Sequence, residues 1–576
     1  MVYAQVVVKY KTRAQALTYL VPANILAYLE VGCYVRIPLR RRFVDGVVTE
    51  IISRLPKGLD PKNLKPIAEI NKDYKYSQPQ IKVLEDLADF YGASLTEVAF
   101  NAIKWPNILS VQSKAKTHQP VNIFLEGNWQ SRKDFYIELL NKYYKKRNFV
   151  FVFSQINYAE DFVLSSCDKF DITTNIQSKK IVKKLFSSDD KFVVVSTSEG
   201  IFFPLNASDF LIVDQPSHIG AKRRQRPYLS NGPIADIRSQ DELINTIKGD
   251  YLIDFNSSLK VINKSYRHIP KKDNPIEVSV IKKTSAILSE TLEEIISENR
   301  DKNILLLTSM KGWASAMICR ECSKIVVCPV CKNTLSQITN DSMYCKPCKN
   351  TQILITKCPK CHSPKLTQLG TGINKLYEYL KTNTKLNIGK YSDEDKIYPK
   401  DSNIIVSTEK ILGLPDKKFD YIFLVDFDRY LVQTDHLSIW NLLYNLKIIK
   451  EKSPNLYIQS HFIDHPIWSY INKSSSLFIK DELSQRRQLL LPPYGQIFSV
   501  IGMSGDIETL KKGELKINSF LNEQIKSASI FPMVINKRGT KYFAKIQIYS
   551  LVHLSKTLKE SIANTLDPTW HLDFDF

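Results

Sequence analysis

The chain has 576 residues, 43% of them apolar and all in short runs, which is material for about three to five packed domains and not for a fibrous or disordered protein. No run approaches the ~18 apolar residues of a membrane span. The opening MVYAQVVVKYKTR alternates like a strand and lacks the core and cleavage site of a secretory leader, so a cytoplasmic protein without a membrane role is expected. Lysine and arginine number 80 against 59 aspartate and glutamate; the net charge of +21 favours a polyanionic partner, with a solvated lysine-rich surface as the plainer explanation.

Residues 1–110 read as a β-rich module built from AQVVVKY, LTYLVP, CYVRIPL and DGVVTEII, closed by an amphipathic helix around IKVLEDLADFYG. The run Arg40-Arg41-Arg42 could grip phosphates or only mark a solvated turn. From about residue 120, near-continuous apolar runs alternate with helical stretches, as in parallel sheets covered on both faces. NFVFVF, KFVVVS and DFLIVD form one group; NILLLT, NIIVST, YIFLVDF and LYIQS form a second. Two α/β lobes are expected, and a final region of about 100 residues with βαβ-like alternation follows Ser474-Ser475-Ser476. The boundaries read as 1–110, 111–255 for the first lobe, 256–318 with 362–472 for the second, 319–361 for an insertion, and 473–576.

FLEGNWQSRKDFYIELL, residues 124–140, has the layout of a phosphate-binding loop. Such a loop needs small residues so that backbone N–H groups wrap phosphate, a lysine on the outer phosphates and a hydroxyl on Mg2+. Only Gly127 and Lys133 match. Arg132 stands at a glycine position where positive φ is expected, and Asp134 replaces the hydroxyl. A carboxylate set ~4 Å from a nucleotide's charge at an effective dielectric of ~20 costs about 4 kcal/mol. Taken alone, the stretch is more simply a strand-to-helix turn.

Eight of ten cysteines fall in Cys319-x2-Cys322-x5-Cys328-x2-Cys331-x13-Cys345-x2-Cys348-x9-Cys358-x2-Cys361. Four CxxC pairs supply eight thiolates, enough for two closed tetrahedral Zn2+ sites. The pairs can combine in three ways; the long gap between the second and third suits a hairpin that closes one site and lets the outer pairs meet as the other. Cys33 and Cys167 lack partner spacing and read as core residues.

In this order the motifs resemble the primosomal protein N-prime (PriA) family of replication-restart helicases, nearly end to end. TYLVP, GCYVRIPL and DGVV are similar to that family's module for the 3' end of a nascent strand, ADFYGASLTEVAFNAI to the helix closing it, and VVVSTSEGIFFPL with FLIVDQPSH to its strand and DEEH box. GTGINKLYEYL, DELSQRRQLLLPPYG and WHLDFDF resemble its post-zinc motif, C-terminal entry and ending. The resemblance implies an α/β multidomain protein: an N-terminal 3'-DNA-binding domain, two RecA-like helicase lobes, a zinc insertion and an α+β C-terminal domain. It implies one zinc on Cys319, Cys322, Cys358 and Cys361 and another on Cys328, Cys331, Cys345 and Cys348. In the strand-end pocket Tyr19 and Lys65 match the family, whereas Leu17, Thr18 and Arg40 depart from it; Arg40, Arg41 and Arg42 join the DNA-binding candidates.

Two family parts are missing. Too few residues lie between Pro106 and Phe124 for a winged-helix domain, and KRGTKYFAKIQ keeps only Lys541 and Tyr542 of the stretch that docks the single-strand binding protein. The motor motifs have also decayed. Beyond Lys133, Asp214 keeps the Mg2+ position but Gln215 stands for the glutamate that activates water, followed by Pro216; the arginine-finger motif falls on YNLKIIKEK, TQMIAKG on TEKILG and NRRG on Ser309 to Gly312, SMKG. Lys133, Asp214 and Gln215 are expected as remnants, with no catalytic residue and no use of ATP or Mg2+. The expected protein is a monomeric restart factor that recognises stalled forks, binds branched or single-stranded DNA, and helps assemble the primosome and reload the replicative helicase. A divergent active 3'-5' helicase and a zinc-dependent interaction scaffold that does not bind DNA are the other readings.

Overall fold

The computed structural model describes the chain apart from residues 11–15, 103–117, 175–180, 182–183, 186–189, 271–276, 285, 310–315, 323, 331–333, 338, 340, 346–349, 432–434, 472–474, 539, 567–568 and 576. Most of the segment from Pro106 to Phe124, three residues of the SMKG motif, Cys331 and Cys348 therefore lie outside the described residues.

Strands β1 (Tyr3–Val8), β2 (Leu17–Leu20), β3 (Cys33–Leu39), β4 (Arg42–Ile52) and β5 (Glu69–Lys75) form an antiparallel sheet in the order β2-β1-β4-β3-β5. Alternation in AQVVV and CYVRI puts Ala4, Val6, Val35 and Ile37 into one small core. The helix Gln78–Tyr91 starts at a capping box in which Ser77 and Gln80 each bond the other's backbone N–H, and it ends on Gly92 at φ 56°.

The first parallel sheet contains β6 (Asn122–Glu126), β7 (Phe149–Phe153), β8 (Ile172–Thr173), β9 (Val193–Ser196), β10 (Phe210–Asp214), β11 (Asn245–Asp250) and β12 (Arg267–Pro270), in the order β12-β6-β11-β10-β7-β9-β8. Every residue of β7 and β10 is buried, so each strand is covered on both faces. The sheet runs past residue 255, where the sequence placed the lobe boundary. RHIP pairs with β6 in parallel, and the change of sheet falls between residues 270 and 279. This edge strand is half-exposed and polar, with no apolar run to betray it.

The second parallel sheet begins with β13 (Ser279–Lys282) and β14 (Ile304–Leu307). It is interrupted by the insertion, with β15 (Ala316–Cys319), β16 (Ser336–Gln337), β17 (Ser342–Tyr344), β18 (Thr351–Ile353) and β19 (Leu366–Leu369). It resumes with β20 (Ile388–Tyr391), β21 (Ile404–Ser407), β22 (Tyr421–Leu424) and β23 (Asn455–Ser460), in the order β13-β23-β22-β14-β21-β20. Together these are two parallel, RecA-like sheets. In the last region β24 (Gln496–Ser504), β25 (Ala528–Ile530), β26 (Val534–Arg538), β27 (Lys541–Ser550) and β28 (Trp570–Asp575) pair antiparallel throughout, so its strand-helix alternation builds an α+β domain with no parallel βαβ unit.

The terminal domain packs on both the first lobe and the N-terminal helix. Lys559 Nζ donates to the Asp89 carbonyl at 3.0 Å, Lys222 pairs with Asp573 at 2.7 Å, and Tyr228 Oη meets His571 Nε2 at 3.1 Å. Among the described residues no helix is long and apolar enough to cross a membrane. Cys33 is buried, but Cys167 is exposed. It follows the helix Ile156–Ser166, whose inward face is taken by Phe162 and Ser166.

Candidate functional site

Ligands of open α/β sheets bind outside the carboxyl ends of the strands. Here those ends carry Gly127 after β6, Asp214 at the end of β10 and Asp250 at the end of β11. No phosphate cradle follows β6. Asn128 caps a helix that begins at once, its side chain accepting from Ser131 N at 2.9 Å, and Trp129–Tyr143 is α-helical. Residues that would have wrapped a phosphate are spent on the first helical turn. Arg132 is thus helical, not at positive φ, which corrects the sequence expectation.

Being helical, Arg132 and Tyr136 lie four residues apart on one face and point into the lobe. The Arg132 guanidinium, fully buried, donates from Nε and Nη2 to the two Asp214 carboxylate oxygens at 2.8 and 3.2 Å and from Nη1 to the Gly127 carbonyl at 2.6 Å. Tyr136 Oη donates to Asp214 Oδ1 at 2.8 Å. Burial works against the guanidinium's charge, but Asp214 holds its pKa well above the ordinary value. The planar group also lies 4.4 Å from the Tyr251 ring centroid. Gly249 in β11 makes room: a Cβ there would stand 1.8 Å from Tyr136 Oη. Both oxygens of Asp214, which the sequence places at an expected Mg2+ position, are therefore engaged within the protein.

Lys133 turns away from this centre. Its Nζ donates to Asp161 Oδ2 at 2.9 Å and Ser165 Oγ at 3.3 Å, and Trp129 Nε1 donates to the same Asp161 oxygen at 2.8 Å. Asp134 is exposed and accepts from Gln130 Nε2 at 2.8 Å. It faces solvent, so the expected repulsion of a nucleotide does not arise, because the helix puts it out of phase with Arg132 and Tyr136. Gln215 is buried at φ 54° and accepts from Gln155 Nε2 at 2.6 Å. Burial pushes the Asp250 carboxyl up to about 7, against the lowering pull of Arg132.

The insertion brings Cys319, Cys322, Cys358 and Cys361 together, their sulfurs all within 4.8 Å of one another. Cys319 and Cys361 sulfurs are 3.5 Å apart and those of Cys322 and Cys358 3.6 Å. A tetrahedron with ~2.3 Å metal–sulfur bonds has edges of about 3.8 Å, so these four thiols are spaced as a group that could hold a zinc ion. The backbone N–H groups of Cys361 and Lys360 pull the Cys358 thiol down to about 6, whereas burial and the neighbouring sulfurs push Cys361 up to about 12. Cys328 and Cys345 are buried in one small core with Met317, Val326, Leu335 and Met343; their expected partners lie outside the described residues.

At the N-terminal sheet, Arg40 forms the turn between β3 and β4 at φ 55°, and Arg40, Arg41 and Arg42 are all exposed. Arg42 lies 4.6 Å and Arg40 5.9 Å from the Tyr10 ring centroid. Exposed Lys65 donates to the Arg40 carbonyl at 3.1 Å, which sets an ammonium beside the three guanidiniums. Tyr19 is 4% exposed and donates to the Pro38 carbonyl at 3.3 Å. Its ring supports this corner from beneath and offers no open face. Tyr10, Trp129, Tyr136, Asp161 and Tyr251 carried no motif in the sequence, and only their aromatic or acidic character could have drawn notice.

Residues 5–104 match the family of 3'DNA-binding domains (3'BD) of PriA. Replication restart protein PriA of Rickettsia felis is 21% identical over 97% of this chain and 97% of its own length. The chain is a distant homologue of the PriA replication restart proteins. That of Buchnera aphidicola subsp. Schizaphis graminum is 25% identical over 70% of this chain and 63% of its own. Among solved structures, RecG bound to a three-way DNA junction is similar over 65% of this chain and 44% of its own, at 10% identity and a TM-score of 0.35.

Proposed function

We propose that this PriA-like protein acts at stalled replication forks as a DNA-binding restart factor that does not hydrolyse ATP. The observation that carries the reading is the buried Arg132–Asp214 pair. A nucleotide with Mg2+ would need the Asp214 carboxylate that Arg132 and Tyr136 hold, a backbone cradle where the helix already starts at Trp129, and a lysine that Asp161 holds elsewhere. These residues do not fit ATP. An active helicase would first have to break a fully buried bidentate ion pair, at a cost of several kcal/mol.

DNA contact is assigned to the exposed corner of Arg40, Arg41, Arg42 and Lys65, with Tyr19 and Tyr10 as its aromatic support; four cations at one turn suit the phosphates of a strand end. Two zinc ions hold the insertion as rigid loops for DNA or for primosome proteins and the replicative helicase loader, the second through Cys328, Cys331, Cys345 and Cys348. Docking of the single-strand binding protein's tail near Lys541 and Tyr542, cytoplasmic location and a monomeric state belong to the same reading.

The test is fork binding measured beside ATP turnover on zinc-replete protein. Binding that weakens steeply with salt, without fork-stimulated turnover, is expected. Turnover above background that Lys133→Ala abolishes would overturn the reading, and salt-insensitive or absent DNA binding would favour a protein-interaction scaffold instead.

A further inference from the structure

Closure of two lobes on a ligand requires an interface that can part. Here one apolar core runs through both sheets, with Phe124, Phe151 and Tyr251 from the first and Leu305, Ile405 and Trp440 from the second. Polar groups stitch its edges. Asn157 Nδ2 donates to the Gly413 carbonyl at 2.8 Å, Tyr158 Oη to the Leu412 carbonyl at 3.3 Å, and Trp440 Nε1 to the Ile253 carbonyl at 3.0 Å. The approach at Gly413 is so close that a Cβ there would stand 2.8 Å from Gln155 Oε1.

At the centre of this seam is Glu451, from the last turn of the second lobe's helix Ser438–Lys452. Its Oε2 accepts from the backbone N–H of Trp129 at 3.2 Å and from Tyr251 Oη at 2.7 Å, both in the first lobe. Trp129 opens the helix after β6, and its N–H is one of the orphan donors that a helix N-terminus offers to an anion. In a nucleotide-binding lobe that anion is a phosphate. Here it is a carboxylate, only 11% exposed, supplied by the opposite lobe. Lys447, one helical turn before Glu451, adds a contact to Glu126 of β6 at 3.6 Å.

We infer that Glu451 is an internal substitute for the nucleotide's phosphate and that it locks the two lobes into one rigid body, so that the protein engages DNA without opening or closing between them. The lock extends the reading of a cleft without ATP but stands on different contacts, and the two can fail separately.

The test is amide hydrogen exchange on the full-length, zinc-replete protein, following the first turn at Trp129–Arg132 and the seam at residues 251–253 and 411–414. In the wild type these amides are protected and unchanged by millimolar Mg2+ with a non-hydrolysable ATP analogue. In Glu451→Ala exchange there speeds up by roughly tenfold or more, while the N-terminal sheet stays as it was. If Glu451→Ala fails to fold, Glu451→Gln, which keeps an acceptor oxygen and loses the charge, shows the same pattern more weakly. Seam exchange that responds to the analogue in the wild type, or that neither variant alters, overturns the lock. ATP turnover with an unchanged seam would leave the lock standing and remove the reading of a protein without ATPase activity.

Discussion

The cysteine insertion and the cleft between the lobes are both dense in polar groups, and they differ in whether those groups are spent. Four sulfurs within 4.8 Å of one another could hold a metal ion. At the cleft, Arg132 and Tyr136 use both oxygens of Asp214, Asp161 takes Lys133, and Glu451 takes the helix N–H. Side chains at the carboxyl ends of these strands are thus bonded to one another. Function is to be sought where capacity is left over.

The largest expected effect is on the insertion. Chelation of zinc should unfold it, since structural zinc contributes on the order of 10 kcal/mol in small domains, while the lobes keep their own unfolding transition. Cys358→Ser should lose the ion at the outer site, read by metal analysis; an unchanged zinc content would show that these four cysteines do not hold the metal.

Next is Arg132→Ala, which strands the buried Asp214 carboxylate and should destabilise the first lobe by about 3–5 kcal/mol in urea unfolding. Arg132→Met combined with Asp214→Leu should recover most of that loss, because it removes both charges. A neutral single variant would show that Arg132 and Asp214 are not a closed, buried pair.

A smaller effect concerns His571, which burial, aided by Arg226, lowers to about 4. Its folded value lies below the unfolded ~6.5, so the unfolded state binds more protons between these values. Stability is full above about 6.5 and is lost as pH falls toward 4, by at most about 3 kcal/mol. His571→Phe should flatten the stability profile of the terminal domain across that window. The smallest effect is Lys133→Ala, which removes a partly exposed pair with Asp161 and should cost about 1 kcal/mol or less, with fork binding unchanged.

The apolar runs made the two parallel sheets legible, because short runs such as VVVS and FLIVD, rich in β-branched residues, suit strands covered on both sides. The CxxC spacing made the outer metal cluster legible for a similar reason, since thiolates at that interval have few other uses. β12 escaped notice because RHIP is half-exposed at an edge and carries no pattern. That residues 127–134 depart from a phosphate-loop pattern could be seen in the sequence, but not which groups those side chains meet. Arg132 meets Asp214 across 82 residues of chain, and Trp129 meets Glu451 across 322. Nothing local marks either partner, and Glu451 looks like one more charge in a lysine-rich helix. Asp134 was misjudged because the loop was aligned to a cradle, whereas a helix beginning at Trp129 turns that side chain to solvent.

The proposed function expects the cleft to bind no nucleotide, because Asp214, Lys133 and the Trp129 N–H are held by Arg132 and Tyr136, Asp161 and Glu451. Its most direct test is equilibrium titration of zinc-replete protein with a fluorescent ATP analogue and Mg2+, with and without a fork bearing a free 3' strand end. No saturable binding up to millimolar nucleotide is predicted in either case. Saturable binding in the micromolar range that Lys133→Ala abolishes would contradict it.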